Sequence, residues 1–155
     1  PELIQEEEVI TSVIVTLQSG SNTVTLSSVD LDGDGPNEPV ITAQGSLNSD
    51  TTYSGAVRFL NESVSPVEDI TEEVAEEAEE HQVFYSFTSP ISSVASSDTD
   101  SSGNPLGLVF TLTTGDSGNA TFGLTLRHKP KKPNTGILDA GGETDVAVNF
   151  SVSVQ

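Results

Sequence analysis

The sequence predicts an all-β fold: an antiparallel β-sandwich, immunoglobulin-like in shape, with one acidic α-helix inserted at about residues 66–81. Three observations carry this expectation. Period-two segments rich in Val, Thr, Ser and Phe recur along the chain, Gly, Asn and Asp separate them at short intervals, and a single segment has helical spacing. One helical segment is too few for a parallel α/β sheet, in which each strand needs a crossover. A length of 155 residues suits one domain, assigned here to residues 9–155, with residues 1–8 as a short acidic tether.

Val9, Val13, Val15 and Leu17 share one face of the first strand. Residues 18–22 read as a turn and residues 23–29 as the returning strand of a hairpin. Further strands are expected at 39–47, 52–60, 83–88, 91–97, 106–114, 120–128 and 144–154, with 114–119 as another hairpin loop. The helical segment lies between the strands at 52–60 and 83–88. Ser65 and Glu68 have capping-box spacing, and Pro66 falls at the first helical position. Ile70, Val74 and Ala78 recur at i, i+4 and i+8 as one narrow apolar stripe. Eight carboxylates lie between Glu68 and Glu80 with no cation among them, and Glu79 and Glu80 oppose the helix dipole. Such a helix depends on packing its stripe against the sheet.

The formal net charge of −19, from 24 acids and five cations, leaves no material for a nucleic-acid-binding surface or for docking on anionic lipid. No apolar run approaches the roughly 18–20 residues of a transmembrane helix. The absence of Cys removes disulfides, thiol nucleophiles and Cys-based zinc sites. Catalysis is not expected. No Ser lies in a Gly-x-Ser-x-Gly elbow, and with two Tyr and no Trp there is little aromatic surface for a glycosidase cleft.

Four groups of residues remain as candidate sites. Asp30, Asp32 and Asp34, followed by Gly35, have the spacing of the first half of an EF-hand loop and are a candidate calcium site. The closing acid is missing, since the twelfth position is Ile41, so this is not an EF-hand, and a solvated turn is the plainer reading. Asp98 and Asp100 form a weaker copy. His81 follows the helix on the face of its apolar stripe, and His128 continues the face of Phe122, Leu124 and Leu126. Brought together, the two histidines offer donors for a transition metal or haem, with Glu80 or Asp139 as an added ligand. Against this, neither HxH nor HExxH spacing is present, which favours two histidines packed at the core edge. Finally, four of the five cations, Arg127, Lys129, Lys131 and Lys132, fall in one stretch. There Arg127 and Lys129 offer an anion-receiving surface beside the histidines, but pairing with the acidic helix is the favoured role.

Several stretches together resemble a known family. They are Val29-Asp-Leu-Asp-Gly-Asp-Gly35, Phe59-Leu-Asn-Glu-Ser63 with Val67-Glu-Asp-Ile-Thr-Glu-Glu73, Glu80-His-Gln-Val-Phe-Tyr85, Leu126-Arg-His128, and Lys132-Pro-Asn-Thr-Gly136 through Asp139-Ala-Gly-Gly-Glu-Thr-Asp-Val146. The chain resembles the small surface lipoproteins of Bacteroidetes, flavobacteria especially. The resemblance implies export, outer-membrane or cell-surface location, a lipid anchor on a Cys upstream of Pro1, and an accessory role beside a TonB-dependent transporter; it implies no activity and no catalytic residues. The functional expectation is a non-enzymatic, surface-anchored ligand-binding or accessory module for a metal or metal-containing ligand near His81 and His128. The alternative is a calcium-stabilised structural or adhesive module.

Overall fold

Alternating inward and outward side chains build two antiparallel sheets that face each other across one hydrophobic core. The computed structural model describes residues 9–31 and 38–155, so the tether and Asp32 and Asp34 of the candidate calcium loop lie outside the described residues. The elements in chain order are β1 (Ser12–Ser19), β2 (Asn22–Val29), β3 (Val40–Gln44), β4 (Thr52–Asn61), β5 (Glu68–Asp69), α1 (Ile70–Glu76), β6 (His81–Phe87), β7 (Ile91–Ser96), β8 (Val109–Thr114), β9 (Gly118–His128), α2 (Ile137–Ala140) and β10 (Glu143–Val154). The larger sheet has the order β3-β2-β1-β4-β8-β7, with β5 paired beside the end of β4. The smaller has the order β10-β9-β6.

Parity places the core. Val13, Val15 and Leu17 of β1, Val24 and Leu26 of β2, Val57 and Phe59 of β4, and Phe110 and Leu112 of β8 are buried on the larger sheet. Phe122, Leu124 and Leu126 of β9 and Phe150, Val152 and Val154 of β10 meet them from the smaller one. The rings of Tyr85, Phe110 and Phe122 form the centre, with centroids 4.5 Å (Tyr85–Phe110), 5.6 Å (Tyr85–Phe122) and 5.7 Å (Phe110–Phe122) apart. Tyr53 is fully buried, and its hydroxyl accepts hydrogen bonds from Asn22 Nδ2 and the Asn48 amide, each at 2.7 Å, so burying it leaves no polar atom unsatisfied.

The helical insert is shorter than its sequence pattern predicts. Glu68 and Asp69 pair with Asn61 and Leu60 of β4, so these two residues belong to the sheet and not to a helix started at Ser65. Asp69, not Ser65, is the N-cap, its carboxylate accepting from the Thr71 amide at 3.1 Å. The helix stops at Glu76, with no basic residue in its last turn, and a 3-10 turn at Ala78–Glu80 follows. Mutual repulsion of the carboxylates and the unfavourable dipole end account for this early stop. The stripe behaves as expected, with Ile70 and Val74 buried, and Thr71 pins the helix to β4 by accepting from the Phe59 amide at 2.8 Å.

Residues 114–119 are not a hairpin loop. Both edges of β8 are already occupied, by β4 and β7, so β9 crosses to the opposite sheet and pairs with β6 and β10. Local turn composition does not distinguish a hairpin from a corner between sheets.

Gly55 sits where β4 passes beneath the aromatic centre, and a Cβ there would lie 2.3 Å from the Phe110 ring. That ring is held by Tyr85 and Phe122 and has no room to retreat. Gly55→Ala is therefore expected to lower the unfolding free energy by about 1–3 kcal/mol, read from the midpoint of chemical denaturation.

Candidate functional site

At one end of the sandwich the chain after β9, the loop between β7 and β8, and the turn after α1 come together around Lys132. Its ammonium donates to Asp100 Oδ2 at 2.9 Å, to the Ala78 carbonyl at 3.0 Å and to the Pro105 carbonyl at 3.3 Å, which uses all three of its protons. The side chains of Lys132 and Asp100 are 6% and 1% exposed. Burial opposes ionisation of Asp100, but the Lys132 hydrogen bond and those from the Asn104 and Ser102 amides outweigh it and hold the carboxyl below its ordinary range. Asp98 is consumed in the same loop, accepting from the amides of Gly107 at 2.7 Å, Leu108 at 3.1 Å and Val109 at 3.3 Å. With both carboxylates committed to the protein's own donors, the pair fixes a loop instead of offering calcium ligands. The basic segment does lie against the acidic insert, but it meets a carbonyl there; the carboxylate it pairs with is Asp100.

The two histidines also meet. His81 opens β6 opposite His128 at the end of β9, and their rings stack with centroids 4.9 Å apart and planes 7° from parallel. His81 is buried, and its Nδ1 lies 3.0 Å from the Glu77 carbonyl. A carbonyl only accepts, so that nitrogen carries the proton and Nε2 faces the other way. Nε2 points to Asp145, 3.9 Å from Oδ2, and the Asp145 side chain is 1% exposed with neither oxygen hydrogen-bonded. Burial, opposed by the nearby His128 and His81 and reinforced by Glu143, raises the Asp145 pKa above the usual carboxylate value. Among the described residues no group of three or more His, Asp or Glu side chains stands ready to hold a metal ion, since parallel rings do not aim their lone pairs at one point.

Beside this end lies a cleft of about 440 Å³ between the free edges of β6 and β7. Its walls carry the carboxamides Gln82, Asn104 and Asn134 and the hydroxyls Ser96 and Thr135, with Phe84, Val94, Pro105 and Pro133 between them. Among the described residues no charged side chain lines it, although the chain as a whole carries −19. The outer wall is held in place by Asn134 Nδ2, which donates to Gln82 Oε1 at 2.9 Å and to the Lys131 carbonyl at 2.8 Å. The inner wall includes Tyr85, whose hydroxyl donates to the Gly107 carbonyl at 2.5 Å and whose pKa is raised well above normal by burial and by Asp98.

The residues expected from sequence separate into groups. His81 and His128 are brought together, but neither lines the cleft. Arg127 sends Nη1 to the Gly141 carbonyl at 2.9 Å, and Lys129 contributes its backbone amide to the Glu80 carbonyl at 2.6 Å, so neither lines the cleft either. Asp30 is half-buried, its amide bonded to the Thr11 carbonyl at 2.8 Å; its partners in the candidate calcium loop are outside the described residues. Asp145 was not legible. Alternation along β10 turns Val146, Val148 and Phe150 inward and so turns Asp145 outward, but a bulge between Thr144 and Val146 redirects it to the histidines. Gly142 permits the close approach of this segment, since a Cβ at its φ of +82° would lie 2.6 Å from the His128 carbonyl oxygen. Compared with family models, curated proteins and solved structures, the chain matches none.

Lys132→Met removes the countercharge from a buried carboxylate, and a loss of about 3–5 kcal/mol is expected in denaturant titration at pH 7. Asp100 supplies a pH signature. Its folded pKa is depressed, so its stabilisation is complete above the unfolded value near 3.8 and is lost as pH falls through the folded value. The stability deficit of Asp100→Asn relative to wild type should therefore be full at pH 7 and shrink below about pH 3.8, as measured by urea titrations across that range.

Proposed function

We propose that this domain is a non-enzymatic binding module whose ligand is small and uncharged and carries amide or hydroxyl groups. The observation that carries this reading is the cleft between β6 and β7: about 440 Å³, within the size range of small-ligand sites, and lined by neutral side chains that both donate and accept hydrogen bonds. Carboxamides match a ligand that does the same, whereas a lining without imidazole, carboxylate or cation lacks the countercharge that a charged ligand requires on burial. The Lys132 junction and the Asn134–Gln82 bond hold the walls before any ligand arrives, which lowers the ordering cost of binding.

The immunoglobulin-like shape is part of the proposal. It is supported by strand order, since β1-β4-β8-β7 facing β10-β9-β6 follows the ABED and GFC sheets of such domains, with β2 and β3 added at the β1 edge. Location at the outer surface of a Gram-negative cell, beside a TonB-dependent transporter, belongs to the proposal on the strength of the sequence resemblance. No helix among the described residues is long and apolar enough to cross a membrane, which fits attachment through an anchor elsewhere.

Thr135 sits exposed on the outer wall, and its amide caps Asp139 whatever its side chain. Thr135→Trp is expected to fill the cleft without unfolding the domain. Heteronuclear NMR titration with uncharged amide- and hydroxyl-bearing compounds should shift Gln82, Ser96 and Asn134 in wild type, and the affinity should fall at least tenfold in Thr135→Trp. Binding confined to charged compounds, or unchanged in the variant, contradicts the reading.

A further inference from the structure

Sheet edges bound the neutral cleft on two sides, and hydrogen-bond parity fixes what each edge presents to it. At the end of β7 the Ser97 amide donates to the Val109 carbonyl at 2.8 Å, which makes these opposite residues a bonded pair. Bonded and non-bonded pairs alternate along an antiparallel ladder, so Ser93 and Ala95 face β8, while the backbone groups of Val94 and Ser96 face the other way. The far side of β8 agrees. Thr114 donates to the Thr51 carbonyl and Val57 to the Leu108 carbonyl, which commits Phe110 and Leu112 to β4 and leaves Thr111 and Thr113 for β7. After β6 the Thr88 amide donates to the Thr121 carbonyl, so Val83 and Tyr85 turn their backbone outward. Val83 is already taken, its amide donating to the Leu106 carbonyl at 2.7 Å. Among the described residues of the lining, only β7 therefore offers two successive outward residues to a new strand.

We propose, resting on the reading of the cleft as a neutral binding site, that its occupant is an extended, uncharged peptide segment of another protein, which adds as a strand to the edge of β7. The amides and carbonyls of Val94 and Ser96 repeat after two strand residues, roughly 7 Å, the spacing at which an extended chain presents its own groups. Main-chain bonds hold such a strand, and pockets for alternate side chains select it. Side chains on the face of Val94 meet a wall that includes Phe84, Pro105 and Pro133, which favours apolar residues at alternate positions. The edge is not blunted. Residues 91–96 carry no charge and no proline, and the bulge between Ile91 and Ser93 falls before the cleft. Charge excludes the chain's own acidic lead as occupant: residues 1–8 carry four carboxylates, and among the described residues the lining holds no cation to receive them.

The probe is the blocked peptide acetyl-Thr-Val-Thr-Val-Thr-amide, titrated into the protein by heteronuclear NMR. Saturable binding is expected, with the Val94 and Ser96 amide signals shifting and their hydrogen exchange slowing. Only alternate amides of an added strand face β7, so two N-methylated peptides are compared on wild-type protein, one methylated at both Val and the other at every Thr. One of the two should bind about tenfold more weakly or worse, and the other within about threefold of the parent peptide. Ser96→Pro removes an outward amide but no ladder bond and should weaken the parent peptide by a similar factor, whereas Ser96→Ala, which keeps the amide, should not; circular dichroism confirms that both fold. No binding of the parent peptide, equal losses from the two methylation patterns, or full affinity in a folded Ser96→Pro overturns strand addition. So does a dimer in sedimentation that protects the same two amides without peptide, which assigns the edge to a second copy. The neutral cleft itself is judged by the Thr135→Trp titration with small compounds, so its failure is distinguished from that of strand addition.

Discussion

A buried ammonium organises the end of this sandwich. Lys132 reaches in from the segment after β9 and satisfies three acceptors belonging to two other segments: Asp100, Pro105 and Ala78. Desolvating a lysine and an aspartate costs several kcal/mol for each ion, and the arrangement is tolerable because every proton of the ammonium has an acceptor and Asp100 accepts from two backbone amides as well. Removing either the segment that carries Lys132 or the loop that carries Asp100 leaves a charge stranded, and removing the turn after α1 leaves one ammonium proton without its acceptor. The edges of β6 and β7 would otherwise lie open, and this junction sets the loops that wall the cleft between them.

The same junction explains how the acidic insert survives. With three carboxylates of its own, five more in the flanking residues between Glu68 and Glu80, and no basic residue in its last turn, α1 is a poor helix by itself. It persists because Ile70 and Val74 are buried, Thr71 is bonded to the β4 backbone, and Lys132 places a positive charge at the Ala78 carbonyl just beyond its C-terminal end. A cation at that end opposes both the dipole and the accumulated negative charge. The helix gives way to a 3-10 turn there, which delivers His81 into β6 with its ring against the Glu77 carbonyl.

Period-two patterning revealed the two-sheet architecture, and parity identified most of the buried side chains, because both follow from alternation along a strand. The length of the helix was not legible: competition from β4 for Glu68 and Asp69 is a tertiary effect that a capping pattern does not register. Nor was the corner at residues 114–119, since strand partnership depends on which edges are already taken. At the site, the meeting of His81 and His128 was foreseeable from their positions at element ends. Asp145 was hidden by a one-residue bulge that reverses its side, and Lys132 by the fact that composition distinguishes a basic stretch from an acidic one but not the single lysine that is buried.

The central claim is that Lys132 couples three segments into one cooperative unit, and native-state hydrogen exchange of Lys132→Met tests it most directly. Three of the amides bonded within that unit report on its three segments: Asp100 to Asn104, Lys129 to Glu80 and Lys131 to Ala140. They are predicted to lose protection together, while β1, β2 and the inner residues of β9 stay protected relative to global unfolding. Protection lost only at residues adjoining position 132, with Asp100 and Lys129 unchanged, would contradict the account.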